Sequence, residues 1–158
     1  MARIIVPAHS DHAVHIANNM READRQECMA MAGKGPLTAL YDSLRVSVAA
    51  WTGFVDLEPI CMFGVSPRSI LGDVGSPWLL GTDKIAENAL SFLRRNKAYV
   101  QRMLDIFPVL ENFVDARNHL SIIWLVWLGF TIERPAVVCG VERRPFFRFE
   151  MRKNFNHG

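Results

Sequence analysis

Apolar positions along this chain recur with two spacings, and the spacing switches at its glycines and prolines. Ala2 to Val6 is a short strand-like run stopped by Pro7. Ser10 and Asp11 supply N-cap residues for a helix that carries Val14, Ile16 and Ala17 and ends near Met20. A second helix is expected from Arg21 to Ala32, closed by Gly33-Lys34-Gly35-Pro36, with a helical turn from Leu37 to Ser43. Leu44, Val46, Val48 and Ala50 alternate with Arg45, Ser47 and Ala49, which predicts a half-buried strand. Gly53 to Pro59 reads as a hairpin connection with Asp56 at its tip, followed by a strand from Ile60 to Val65. Ser66 to Ser76 reads as a loop, and Trp78-Leu79-Leu80 as a third strand ending at Gly81.

The longest helical stripe comes next. Thr82-Asp83 cap it, and Ile85, Ala89, Phe92, Leu93, Val100, Met103 and Leu104 share one face up to Pro108. Val109 to Val114 is a strand. Asp115 to Asn118 open a short helix with Leu120, Ile123, Trp124, Trp127 and Leu128, and Gly129 ends it. Phe130 to Ile132 is a strand stopped by Pro135, and Phe146 to Met151 alternate once more. The order β, α, α, β, β, β, long α, β, short α, β, β predicts an α/β (α+β) fold, a sheet with helices on its faces. One domain over 1–158 is expected, with 152–158 as a short C-terminal tail.

Composition narrows the classes. The chain has 158 residues, 50% of them hydrophobic, far from the disordered range. Lys+Arg number 18 against 16 Asp+Glu, so binding to nucleic acid requires a local patch. The longest apolar stretch, Ile122 to Phe130, is about half of a membrane span and contains Gly129. The start of the chain is too short in apolar residues for a signal peptide. Cys28, Cys61 and Cys139 are odd in number and widely spaced, which implies free thiols rather than a disulfide framework or zinc site.

Asn118-x-x-Ser121, followed by Trp124 and Leu128-Gly129-Phe130, resembles a segment of the GNAT acyltransferase superfamily where a short helix turns into the sixth strand. Gly129 permits the sharp turn and Phe130 plugs the core beneath it. The resemblance implies a mixed, mostly antiparallel sheet flanked by helices. A broader resemblance rests on six runs in order. They are Arg21-Glu22-Ala23-Asp24-Arg25-x-Glu27, Trp51-Thr52, Met62-Phe63-Gly64-Val65, Pro77-Trp78-Leu79-Leu80-Gly81-Thr82-Asp83, Asn112-x-Val114-Asp115-Ala116-Arg117-Asn118 and Trp124-Leu125-x-Trp127-Leu128-Gly129-Phe130. Together they resemble a family of small tailed-phage proteins that includes the internal virion protein A of short-tailed phages. That resemblance implies a virion-associated or morphogenesis protein. It would sit in the phage particle, or in host cytoplasm during assembly, in multiple copies beside other virion proteins.

Superfamily enzymes bind acetyl-CoA through an Arg/Gln-x-x-Gly-x-Gly/Ala loop whose amides approach the diphosphate. The corresponding loop here is Gly81-Thr82-Asp83-Lys84-Ile85-Ala86, without the Gly-x-Gly, and Asp83 places negative charge at the phosphates. Thr82 and Lys84 retain phosphate-bonding groups. The superfamily's usual proton donor is a Tyr on the helix before Leu-Gly-Phe, and that place falls on Leu125, which cannot donate a proton. Ser121 is the nearby hydroxyl. The expectation is a retained fold with lost chemistry and no cofactor. The alternative is an acetyl-CoA-dependent N-acetyltransferase that modifies a host or phage protein. Its cofactor would lie along Leu79, Leu80 and Gly81, with phosphates at Thr82, Asp83 and Lys84, and Asn118 and Ser121 at the thioester. That alternative requires a V-shaped splay between the fourth and fifth strands.

Three further clusters carry possible chemistry. His9, His12 and His15 recur every three residues around Asp11, the geometry of solvated residues at a helix start or, less simply, of a metal site; no metal is expected. Glu22, Asp24 and Glu27 alternate with Arg21 and Arg25, a pattern for a charged outer helix face, although one carboxylate could act as a base for an amine. Arg143, Arg144, Arg148, Arg152 and Lys153 interleave with Phe146, Phe147, Phe149, Met151 and Phe155. This suits an edge strand, a protein-docking surface or a nucleic-acid contact. Trp124 and Trp127 suit core packing, or a contact surface where exposed.

Overall fold

A computed structural model describes residues 2–154. Phe155 of the C-terminal aromatic cluster lies outside the described residues. The elements run β1 (Arg3–Pro7), a 3₁₀ turn (Ser10–His12), α1 (Ala13–Asn18), α2 (Glu22–Ala32), α3 (Pro36–Val46), β2 (Ala49–Val55), β3 (Glu58–Pro67) and β4 (Val74–Gly81). Then follow α4 (Lys84–Glu87), α5 (Ala89–Ile106), β5 (Val109–Asp115), α6 (His119–Leu128), β6 (Thr131–Cys139) and β7 (Arg144–Arg152). All seven strands form one sheet in the order β1-β2-β3-β4-β5-β7-β6. Every neighbouring pair is antiparallel except β4 and β5. The mixed, mostly antiparallel sheet is the fold class expected from the sequence.

The sheet carries a core on each face. Met62 and Leu80 pack against Ile16 and Leu40 of α1 and α3. The residues beside them in sequence, Phe63 and Leu79, join Phe92, Val100 and Met103 of α5. This period-two division of β3 and β4 is what a strand buried on both faces requires. Phe130, beneath α6, meets the Phe149 ring edge-on at 5.2 Å. Gly129 ends α6 at φ +105, and Gly33 ends α2 at φ +66.

Several boundaries differ from the sequence expectation. The predicted strand over Leu44–Ala50 is divided: Leu44 to Val46 end α3, because Leu40 and Leu44 pack one turn apart against α1, and β2 begins only at Ala49. The hairpin turn shrinks to Asp56-Leu57, both at positive φ, and β4 begins at Val74 within the expected loop. Neither Ser10 nor Asp11 caps the first helix: both lie in the 3₁₀ turn before it, which is capped by the His9 side chain accepting from the Asp11 N–H, and α1 follows without a side-chain cap. The long helix is split at Asn88, whose side-chain amide donates to the Lys84 carbonyl at 2.9 Å. β6 continues past Pro135 through a register shift between Glu133 and Val137, tolerated because β6 is the edge. The basic strand β7 is not an edge strand but lies between β5 and β6.

Candidate functional site in the divergence of β4 and β5

β4 and β5 pair only at Val74–Val109 and Gly75–Leu110, the first residues of each strand. Beyond that point β4 stays with β3 as far as Gly81, and β5 stays with β7 as far as Asp115. The two strands therefore diverge into a V. Its narrow part is stitched by the Asn112 amide, which donates to the Pro77 carbonyl at 2.9 Å. The gap holds a cavity of about 310 Å³ that reaches both faces of the sheet. Glu27, Cys28 and Met31 of α2 line one side; Tyr99 of α5 and Ser121, Trp124 and Leu125 of α6 line the other. Asn96 of α5 lines it too, with a buried Oδ1 that has no hydrogen-bond partner among the described residues.

Diverging strands leave backbone groups without partners, and buried ones must be satisfied. At the far ends of the V, α2 and the residue before it supply partners. Asp24 Oδ2 accepts from the Gly81 N–H at 3.0 Å, and the Arg21 N–H donates to the Gly81 carbonyl at 2.9 Å. Glu27 Oε1 accepts from the Asp115 N–H at 2.6 Å. Asp24 Oδ1 takes the Arg21 guanidinium at 2.9 Å and the Asn118 amide at 3.1 Å. Arg21 lies 5.5 Å from the centre of the Trp124 ring. One buried cluster thus joins the far ends of both strands.

Burial pushes the Asp24 carboxyl up, with Arg21, the Gly81 N–H and Asn118 pulling the other way. Glu27 is pushed up to about 8 by loss of solvent, reinforced by the carboxylates of Asp24 and Asp115 against the Asp115 N–H. For Asp115, burial is outweighed by the bidentate Arg117 guanidinium, which holds the carboxyl below its ordinary value. Burial pushes the Cys28 thiol up to about 12, so it is not a nucleophile at neutral pH.

The expected site residues fall into three groups. Leu79 and Leu80 line the cavity, as does Ser121. Asn118 stands at the start of α6, yet its side chain does not cap the helix; it bonds Asp24 and Arg21 instead. Leu125, the position at which the resemblance places the proton donor, lines the cavity. The turn that would hold a diphosphate is closed on itself. The Thr82 N–H donates to the Ile60 carbonyl, the Lys84 N–H to Thr82 Oγ1, the Ile85 N–H to the Thr82 carbonyl and the Ala86 N–H to the Asp83 carbonyl. Lys84 Nζ is 2.5 Å from Glu58 Oε2, and Asp83 is exposed. With the N–H groups of Thr82, Lys84, Ile85 and Ala86 engaged, the Lys84 ammonium paired and the Asp83 carboxylate beside them, this turn does not fit a diphosphate.

Sequence reasoning missed the interior role of Arg21 and Asp24, which are buried rather than part of a solvated face. The available signal was the spacing of Asp24, Glu27, Cys28 and Met31, one helical stripe of mixed polarity. It also missed Asn96 and Tyr99. The histidines do not converge: His9 pairs with Asp11, His12 Nδ1 meets Thr52 Oγ1 at 2.8 Å, and His15 faces Glu58. The C-terminal arginines are largely neutralised. Arg148 bonds Glu111, Glu133 and Glu150; Arg152 bonds Glu150; Arg144 bonds Glu142. Phe146 is fully buried, and Arg143 sits at φ +55 in the β6–β7 turn.

No family model matches this chain, and no curated protein does. Solved structures do. A GNAT-family acetyltransferase from Streptococcus pneumoniae superposes with a TM-score of 0.65 at 12% identity, over 97% of this chain and 100% of its own. A putative acetyltransferase from Salmonella typhimurium, solved with its cofactor acetyl-CoA, gives 0.71 at 14% identity, over 100% and 98%. An N-acetyltransferase from Staphylococcus aureus Mu50 gives 0.72 at 12% identity, over 96% and 99%. At such identities the likeness is one of architecture, and the chain has the GNAT fold.

Proposed function

We infer that this chain uses the GNAT fold as a binding and assembly module without acyl transfer, and that the assembly is a tailed-phage particle. One observation carries the non-catalytic half. The Gly81 end of β4, where such a cofactor would be received, is bonded by Arg21 and Asp24, and the N–H groups of Thr82, Lys84, Ile85 and Ala86 in the turn after it are bonded within the protein. Leu125 in place of a proton donor agrees with it. The particle half rests on the six sequence runs. Four of them contribute Arg21, Asp24, Glu27, Gly81, Asp115, Asn118 and Trp124, which meet in the buried cluster. The phage-like runs thus encode the clamp across the V. Isothermal titration with acetyl-CoA tests the first half, with no heat of binding expected; micromolar binding overturns it. Mass spectrometry of purified particles tests the second, and absence of the chain from them overturns it.

A second reading is an acetyl-CoA-dependent N-acyltransferase. The solved enzymes that share the fold favour it over a role in a particle. So do the open V and its contents: an apolar cavity with one acceptor, Asn96 Oδ1, unpartnered among the described residues, and a carboxyl, Glu27, pushed up to about 8, so that it exchanges its proton just above neutral pH. Thiol release from acetyl-CoA with a mixed amine panel separates the readings. Turnover abolished by Glu27→Gln establishes the second; no release at any pH from 6 to about 9 leaves the first.

A further inference from the structure

Positive charge on this protein is concentrated where the sequence did not point. Of its 18 Lys and Arg, seven have no carboxylate within ion-pair distance among the described residues. Five of those seven are Arg94, Arg95, Lys97 and Arg102 of α5, and Arg3 beside its first turn. Their contacts are to neutral groups, which leave the charge uncompensated. Arg95 donates to the Arg3 carbonyl, and Arg3 Nε to Asn88 Oδ1 at 2.9 Å. Lys97 stands 4.3 Å from the centre of the Trp127 ring, and Arg102 stands 4.8 Å from that of Tyr99. Among the described residues Arg94 has no ion-pair or hydrogen-bond partner. From Ala89 to Leu104 the helix bears no acidic residue. The nearest are Glu87 before it and Asp105 in its last turn, the latter bound to Lys153 at 2.9 Å.

We propose that the solvent face of α5, with Arg3, binds the phosphate backbone of nucleic acid. Arg94 to Arg102 spans about 12 Å of helix, a length over which duplex DNA presents about seven charges. Four of the five cations are arginines, whose planar fork suits phosphate oxygens better than an ammonium does. An open depression bordered by Arg3, Ser91, Arg94 and Arg95 adds a hydroxyl to the set, three cations there outweighing the one carboxylate on its rim, Glu87. Apart from Leu90 and Ile106, at its two ends, the exposed face of α5 is polar or small, so it has little to insert into a bilayer. Of the five cations Arg102 touches a residue that lines the V, Tyr99, whereas Arg94 and Lys97, which the test varies, are not among the lining residues, so the test does not depend on the acyl-transfer question.

Fluorescence anisotropy with a labelled duplex of about 20 base pairs, at about 50 mM salt, is the measurement. Binding is expected to weaken steeply with added salt, with a log–log slope set by about four to five neutralised phosphates. Arg94→Gln with Lys97→Gln should weaken binding about tenfold or more and flatten the slope by about two, while Arg94→Lys with wild-type Lys97 should retain it. Both sites are exposed, and a thermal melt by circular dichroism confirms that the variants fold. Arg25→Gln with Arg45→Gln, away from α5, should leave binding unchanged. No binding at low salt, equal binding by the α5 double variant, or equally tight binding to poly-glutamate or to anionic lipid vesicles would overturn the proposal.

Discussion

The carboxylate of Asp24 holds the backbone N–H of Gly81 at 3.0 Å, so a helix side chain occupies a position that a neighbouring strand would normally fill. Both residues are buried, and the same carboxylate carries Arg21 and Asn118. Removing it leaves the Gly81 N–H without a partner and the buried Arg21 guanidinium without its counter-charge. Asp24→Ala is expected to destabilise the protein by about 3–5 kcal/mol in urea denaturation. Asp24→Asn keeps an acceptor and should lose about 1–3 kcal/mol. Equal losses for the two variants would mean that the charge is irrelevant there.

Glu27 predicts the direction of the pH dependence. Its folded value near 8 lies above the ordinary 4.5, so between those values the folded chain keeps a proton that the unfolded chain has released. Stability from this group is complete at low pH and is lost as pH rises from about 5 through 8, by a few kcal/mol at most. Glu27→Gln cannot titrate and still offers an oxygen to the Asp115 N–H. Its stability curve should be flatter over that range, measured by denaturation midpoints at successive pH values. A parallel wild-type and variant profile would refute the assignment.

Gly75 stands at the apex of the V, paired with Leu110. A Cβ there would lie 2.5 Å from Phe107 Cδ2 and 2.8 Å from Val65 Cγ2. Gly75→Ala is therefore expected to lower stability by about 1–3 kcal/mol through overpacking. The same change at Gly35, where a Cβ meets nothing within 4 Å, is the control and should be close to neutral.

Arg148 gathers three glutamates from β5, β6 and β7 on a partly exposed face. Water screens such a network, so Arg148→Gln should lose only about 1 kcal/mol, less at high salt. A loss several times larger, unaffected by salt, would mean that the network is closed to solvent.

Local pattern was enough for some of this fold and none of its clamp. The stripe Phe92, Val100, Met103 and Leu104 on α5, the Gly129 stop and the Phe130 plug all follow from spacing that neighbours in sequence impose. The segment after Leu37 misled because Leu40, Leu44 and Val48 satisfy periods of two and of four at once. β7 looks like an edge strand because its arginines alternate with apolar residues, but glutamates on three strands accept those charges inside the sheet. Arg21, Asp24 and Glu27 look solvated for the same reason: short-range rules pair them with one another. Their decisive partners, Gly81, Asp115 and Asn118, are remote along the chain.

Two rungs of contact between β4 and β5 make this sheet, in mechanical terms, a pair of plates hinged along one short seam. One plate is β1 to β4; the other is β5, β7 and β6. What fastens them away from the hinge is carried by helices and side chains rather than by a ladder of amides. Hydrogen exchange should accordingly sort the backbone into two blocks with separate opening energies. A ligand or partner that pried the plates apart would work against side-chain bolts, leaving each plate intact.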